Sequence, residues 1–115
     1  MQERQYFATD SPEEIEWERL GLIQEACDSI TTRQLASLGI ASGWQCLDIG
    51  AGRGSIAYWL AERVGRSGQV VAADLNTRLL RRVQFPSNIE IREHNILTQD
   101  LEAKRYDQVG GHYLA

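Results

Sequence analysis

The sequence predicts an α/β chain: a doubly wound, mainly parallel sheet of about four strands, incomplete, with a helical cap at its N-terminal end. Three observations predict it. Residues Gln45 to Ile56, QCLDIGAGRGSI, pass from a short apolar run through three alternate glycines straight into a helical pattern. Apolar strand-like runs and helical patterns then alternate through residues 44–115. Two of those runs carry an acid at the C-terminal end, Asp48 and Asp74.

Taken in order, residues 1–10 are polar apart from Tyr6 and Phe7 and read as an arm. Ser11-Pro12-Glu13-Glu14 is a strong helix start: a hydroxyl cap, proline in the first turn, and a glutamate three residues after the cap. Ile15, the stem of Arg19, Leu22, Ile23, Ala26 and Ile30 predict one apolar stripe. The capping side chains between Asp28 and Thr32 predict a break and a second helix, with Leu35 and Leu38 inward and Gly39 as its stop. The loop Ala41-Ser42-Gly43 closes this unit, so residues 1–43 are expected to form the arm and cap.

Leu47 and Ile49 suit a strand buried on both faces. Ile56, Leu60 and Val64 recur every four residues and predict about three helical turns. After a turn at Gly65 to Gly68, residues 69–74 read as a second strand. Asn76 is expected to cap a helix carrying Leu79, Leu80 and Val83, ended by Pro86. Ile89 and Ile91 mark a third strand, His94 to Leu97 leave the sheet, and Tyr106-Asp107-Gln108-Val109 begin a fourth. A chain that ends there leaves an apolar fourth-strand edge. The expectation is a truncated chain, or a homo-oligomer or partner chain covering that edge.

Composition narrows the function. A chain of 115 residues with 43% hydrophobic content supports one folded domain. A net charge of −4 argues against a nucleic-acid surface. No apolar run reaches membrane-span length and no signal-peptide pattern follows Met1. Cys27 and Cys46 lack metal-ligand spacing, so no metal site and a reduced, cytoplasmic protein are expected.

The glycines fall at 50, 52 and 54, which is not the G-x-G-x-x-G spacing of dinucleotide folds. Asp48-x-Gly50-x-Gly52-x-Gly54 resembles motif I of the class I S-adenosylmethionine-dependent methyltransferases, a Rossmann-like family. Glu18-Arg19-Leu20, Gly39 to Gly43 and Trp59 to Gly65 are similar to its small-molecule bacterial members. The resemblance implies that residues 44–115 are a partial S-adenosylmethionine-binding domain acting on a small-molecule acceptor. It implies that Asp48, Gly50, Ala51, Gly52 and Gly54 serve the methionine end, through helix N–H groups for a carboxylate and acid or carbonyl oxygens for the cations. Asp74 would hold the ribose hydroxyls, and Leu75 and Ile96 would flank the adenine. Asn95 stands where many members carry Asp, so a charge-assisted bond to the adenine amino group is lost. His112, with Tyr113, falls near the substrate side of the sulfonium and is the candidate general base; a packed or solvated histidine is the alternative. Tyr6 and Gln24 fall in the cap that closes over the methionine end. A ligand-free turn, a solvated strand-end acid and a loop asparagine are the plain alternatives for the bend, Asp74 and Asn95. At the level of the whole chain, a non-catalytic cofactor-binding module working through a partner and an NAD-dependent oxidoreductase stand beside the methyltransferase reading.

Overall fold

The computed structural model describes residues 11–93 and the backbone of 108–111. In chain order these form α1 (Pro12–Ser37), β1 (Gln45–Ile49), α2 (Ser55–Val64), β2 (Gln69–Asp74), a 3-10 turn (Leu80–Arg82), β3 (Ile89–Glu93) and β4 (Gln108–Gly111). The strands make one sheet in the order β3-β2-β1-β4, parallel throughout. Registers run Gln45 to Ile49 against Gln69 to Ala73, and Val70 to Asp74 against Ile89 to Glu93. The first crossover, β1-α2-β2, therefore sets its connecting bend at the carboxyl edge of the sheet, where α/β folds place ligands.

Strand alternation sorts the core onto two faces. Cys46, Val70 and Ala72 meet Ile56, Ala57, Leu60 and Val64 of α2, with Leu80 completing the layer. Leu47, Val71 and Ala73 form a separate buried cluster. Asn88 ties β3 to the end of α2, its amide donating to the carbonyls of Ala61 at 2.9 Å and Gly65 at 3.0 Å. Those are helix-terminal acceptors that the helix cannot satisfy itself.

Three expectations fail in instructive ways. Ser11 does cap α1, accepting from Glu14 N at 3.1 Å, with Pro12 in the first turn. The predicted break at 28–32 is absent, however, and α1 is a single helix of 26 residues. Thr32 Oγ1 donates back to the carbonyl of Asp28 at 2.9 Å, so its hydroxyl is satisfied inside the helix instead of starting a new one. Second, the predicted stripe points outward: Leu22 and Ile23 are each 38% exposed and Ile30 59%. The inward face is set by Trp17, Leu20, Gly21 and Leu35, which meet the α/β core. Third, no regular helix follows Asn76. Its Oδ1 accepts from Arg78 N at 3.0 Å, a local turn, and only the 3-10 turn follows, the chain being extended already at Val83. Leu79 and Leu80 are buried all the same.

Candidate functional site

The bend between β1 and α2 is built by backbone conformation. Gly50, Gly52 and Gly54 have φ of 70°, 61° and 85°, a left-handed region costly for any residue with a Cβ. At Gly54 space is also closed, because a Cβ would overlap the Phe85 ring and approach Leu80 Cδ2 to 2.9 Å. The bend is tied to β2: Gly50 N and Ala51 N both donate to the carbonyl of Ala73, at 2.8 and 3.1 Å. Gly54 N donates to the carbonyl of Ala51 at 2.8 Å. Gly52 N donates to Asp74 Oδ2 at 2.9 Å, across 22 residues of sequence. All four of these amides are taken by the protein's own oxygens; the amides that the sequence led us to expect toward an anionic group are those that open α2, from Ser55 on.

Beside the bend lies a cleft of about 550 Å³, lined by Ile49, Gly50, Gly52, Asp74, Leu75, Asn76, Arg78 and Leu79 on the sheet side. Pro12, Glu13, Glu16, Arg19 and Leu20 of α1 line the other side. Asp74 stands at the C-terminal end of β2, Oδ2 turned to Gly52 N and Oδ1 near Asn76 N at 3.4 Å. Leu75 is 64% exposed, an apolar surface open to the cleft.

The α1 wall is held by side chains. The Arg53 guanidinium lies 3.8 Å from the centre of the Trp17 ring, and Nη1 donates to the Trp17 carbonyl at 3.2 Å. Arg82 lies 4.3 Å from the same ring and pairs with Glu14 at 3.0 Å. Arg53 crosses α1 at Gly21, where a Cβ would collide with its guanidinium. One turn before Leu20, Glu16 accepts from Arg19 Nε at 2.9 Å, and the hydrogen bonds from Arg19 hold its carboxyl below the usual value of 4.5.

Of the residues singled out from sequence, Gly50, Gly52, Asp74 and Leu75 share this cleft. Asp48, Ala51 and Gly54 are buried behind it, Asp48 at 3% exposure, and shape it through the backbone. Gln24 borders a second groove beside α2, with Ser55 and Tyr58. Asn95, Ile96, His112, Tyr113 and Tyr6 lie outside the described residues. Sequence reasoning expected a helical cap over the site through Tyr6 and Gln24 but missed the α1 side chains that line the cleft, Glu13, Glu16, Arg19 and Leu20. The signal available was Glu16 and Arg19, opposite charges three residues apart beside Trp17, but it reads as an ordinary solvated pair until α1 is seen against the bend. Among the described residues no group of three or more His, Cys, Asp or Glu could hold a metal, and no helix is long and apolar enough to cross a membrane.

Residues 46–113 match the profile of a family described as "Methyltransferase domain". The 2-phytyl-1,4-naphtoquinone methyltransferase of Trichormus variabilis is 36% identical over 76 residues, covering 60% of the chain and 33% of that protein. Ribosomal RNA large subunit methyltransferase E of Oleidesulfovibrio alaskensis is 33% identical over 63 residues, covering 55% of the chain and 29% of its own length. In fold, a SAM-dependent methyltransferase from Aquifex aeolicus superposes with a TM-score of 0.61 at 23% identity, over 73% of the chain and 50% of that structure. The chain spans a third or less of the length of the curated relatives it matches.

Proposed function

The chain belongs to the methyltransferase-domain family, and from that premise we propose that it is the S-adenosylmethionine-binding part of a methyltransferase acting on a small molecule. The observation that carries the reading is Asp74, joined to the glycine bend through Gly52 N and opening onto the cleft. A carboxylate there accepts hydrogen bonds from both hydroxyls of a ribose. The cleft has the size of a ligand pocket, within the range of about 300–1,000 Å³. It mixes apolar Ile49, Leu75 and Leu79 with charges of both signs, which suits a nucleoside bearing an amino-acid tail. In this proposal residues 1–43 are the cap and 44–115 the cofactor half of a cytoplasmic protein. Asp48, Ala51 and Gly54 act by fixing the bend, Asn95 and Ile96 by holding the adenine, and His112 is the candidate base.

When bound, S-adenosylmethionine supplies an electrophilic methyl group on a sulfonium. The chain's share is to bind and orient: Asp74 fixes the ribose and the exposed Leu75 offers apolar surface to the base. Displacement at a methyl group needs alignment more than covalent help from the protein, and alignment alone lowers such barriers substantially. The acceptor is proposed as a small molecule from the naphthoquinone-acting relative and the net charge of −4. Ribosomal RNA, named in the other relative, is the control acceptor.

Calorimetric titration tests the reading. S-adenosylhomocysteine is expected to bind and NAD is not, with Asp74→Ala weakening the former by about tenfold or more, ~1.4 kcal/mol. Binding of NAD alone would overturn the assignment. A non-catalytic module working through a partner is the second reading, favoured by the exposed Leu22, Ile23 and Ile30 of α1. Transfer of labelled methyl to any acceptor by this chain alone would exclude it.

A further inference from the structure

α1 is apolar on two sides. Trp17, Gly21 and Leu35 turn toward the α/β core. On the opposite side of the helix, Leu22, Ile23, Ala26 and Ile30 follow one another at helical spacing. All four are exposed, Ile30 to 59%. A helix that packs through one face carries polar residues on the other. α1 instead presents a second apolar stripe to solvent, and none of its 26 residues is buried.

We propose that this outer stripe is a dimer interface, on which α1 of a second copy of the chain packs antiparallel about a two-fold axis at Ala26. The stripe is complementary to its own reverse. Turning one helix end for end brings Ile30 of each copy opposite Leu22 and beside Ile23 of the other, so the apolar contact is made twice by symmetry. Ala26 falls at the crossing, where a methyl group lets two helix axes approach to about 8 Å. Charge decides the direction. Residues 12–26 carry Glu13, Glu14, Glu16, Glu18 and Glu25 against Arg19, whereas residues 27–37 carry Asp28 and Arg33. A parallel pair would set two acidic halves side by side and align the helix dipoles. The antiparallel pair sets each acidic half against the end that carries the exposed Arg33, and opposes the dipoles. Arg19 comes level with Arg33 of the second copy, but its charge is met by Glu16, whose Oε2 accepts from Nε at 2.9 Å. A partner of different sequence would have to match both the apolar stripe and the charge gradient, and the reversed α1 matches both. The proposal does not depend on what the cleft binds.

Sedimentation velocity of the full chain, from micromolar to submillimolar concentration, tests the proposal, and a species of twice the chain mass is expected. Ile30→Glu sets a carboxylate twice into the apolar centre and is expected to weaken that species by about tenfold or more. Ile30→Leu keeps the apolar volume and should stay within about threefold of the parent. Because Ile30 is exposed in the single chain, neither variant should change the circular dichroism or the urea midpoint of the monomer. Direction is read from spin labels on Ser37→Cys in a Cys27→Ser background, the remaining Cys46 being buried. Antiparallel helices crossing at Ala26 hold those labels about 33 Å apart along the axis, and parallel ones about 10 Å apart. A chain that stays monomeric would leave the stripe to a different partner and overturn the proposal. A dimer that Ile30→Glu leaves intact would place the contact on another surface, such as the β4 edge, and overturn it too. Labels about 10 Å apart would overturn the antiparallel pairing.

Discussion

On one side of the cleft the 50–54 bend rests on a core in which Cys46, Val64, Val70 and Leu80 have no exposed surface; on the other, α1 runs 26 residues without burying one. The first wall is made of backbone. Its shape follows from three left-handed glycines and from amides tied to the Ala73 carbonyl and the Asp74 carboxylate. The second wall is made of side chains on a helix anchored at a few points: Trp17 against Arg53 and Arg82, Glu14 with Arg82, and Leu20 at Gly52.

The contrast can be broken most sharply at Gly54. Gly54→Ala places a Cβ into Phe85 and Leu80 at a φ of 85°, and we expect a loss of more than about 3 kcal/mol in urea unfolding. A variant as stable as the parent would show that the backbone wall yields after all. Trp17→Ala should act on the other wall only. Losing two cation–π contacts and the ring's packing is expected to cost about 1–3 kcal/mol locally. Hydrogen exchange should quicken in α1 while β1 and β2 keep their protection; uniform quickening would mean that the two walls unfold as one unit.

Gly52→Ala sharpens the comparison from between the walls. A Cβ there meets Leu20 at an ordinary 3.5 Å, so only the φ of 61° opposes it, at about 1–2 kcal/mol. A loss as large as that at Gly54 would mean that α1 packs against the bend more tightly than its exposure implies.

The smallest effect concerns acid. Glu16 has its carboxyl pKa lowered by hydrogen bonds from Arg19, so the pair adds stability above the usual glutamate value of 4.5 and loses it as pH falls through the lowered folded value. Glu16→Gln should flatten the acid limb of the stability profile between 4.5 and the lowered folded value, and only slightly, because both side chains are half exposed to screening water. A change at neutral pH and none in acid would mean that packing, and not charge, is what Glu16 contributes.

Much of this architecture could be read in the chain because the deciding forces are local. Ser11 and Pro12 start a helix wherever they sit, and alternate glycines after an apolar run turn the chain before any tertiary contact forms. The runs 45–49 and 69–74 carry apolar centres, and Ile89 and Ile91 alternate with charged residues in 89–93, patterns that suit strands in an α/β context. The misreadings fall where locality ends. Thr32 is a capping residue whose hydroxyl is satisfied by the Asp28 carbonyl inside the helix, and Asn76 does cap, accepting from Arg78 N, but only a 3-10 turn follows it. Leu22, Ile23 and Ile30 make a better apolar stripe than the face α1 turns inward, yet Gly21 and Trp17 decide its rotation because Arg53 needs room to cross at one and a ring to stack on at the other. Which α1 side chains line the cleft was hidden for the same reason.

What the sequence determined alone was the bend and the strands that carry it, since left-handed glycines after a short strand-like run allow few other conformations. Tertiary structure decided which face of α1 turns inward, how residues 76–83 pack Leu79 and Leu80 without a regular helix, and that Asp74 spans 22 residues to hold Gly52. Each of those depends on partners distant in the chain, whose positions become fixed only when the sheet and helices have packed.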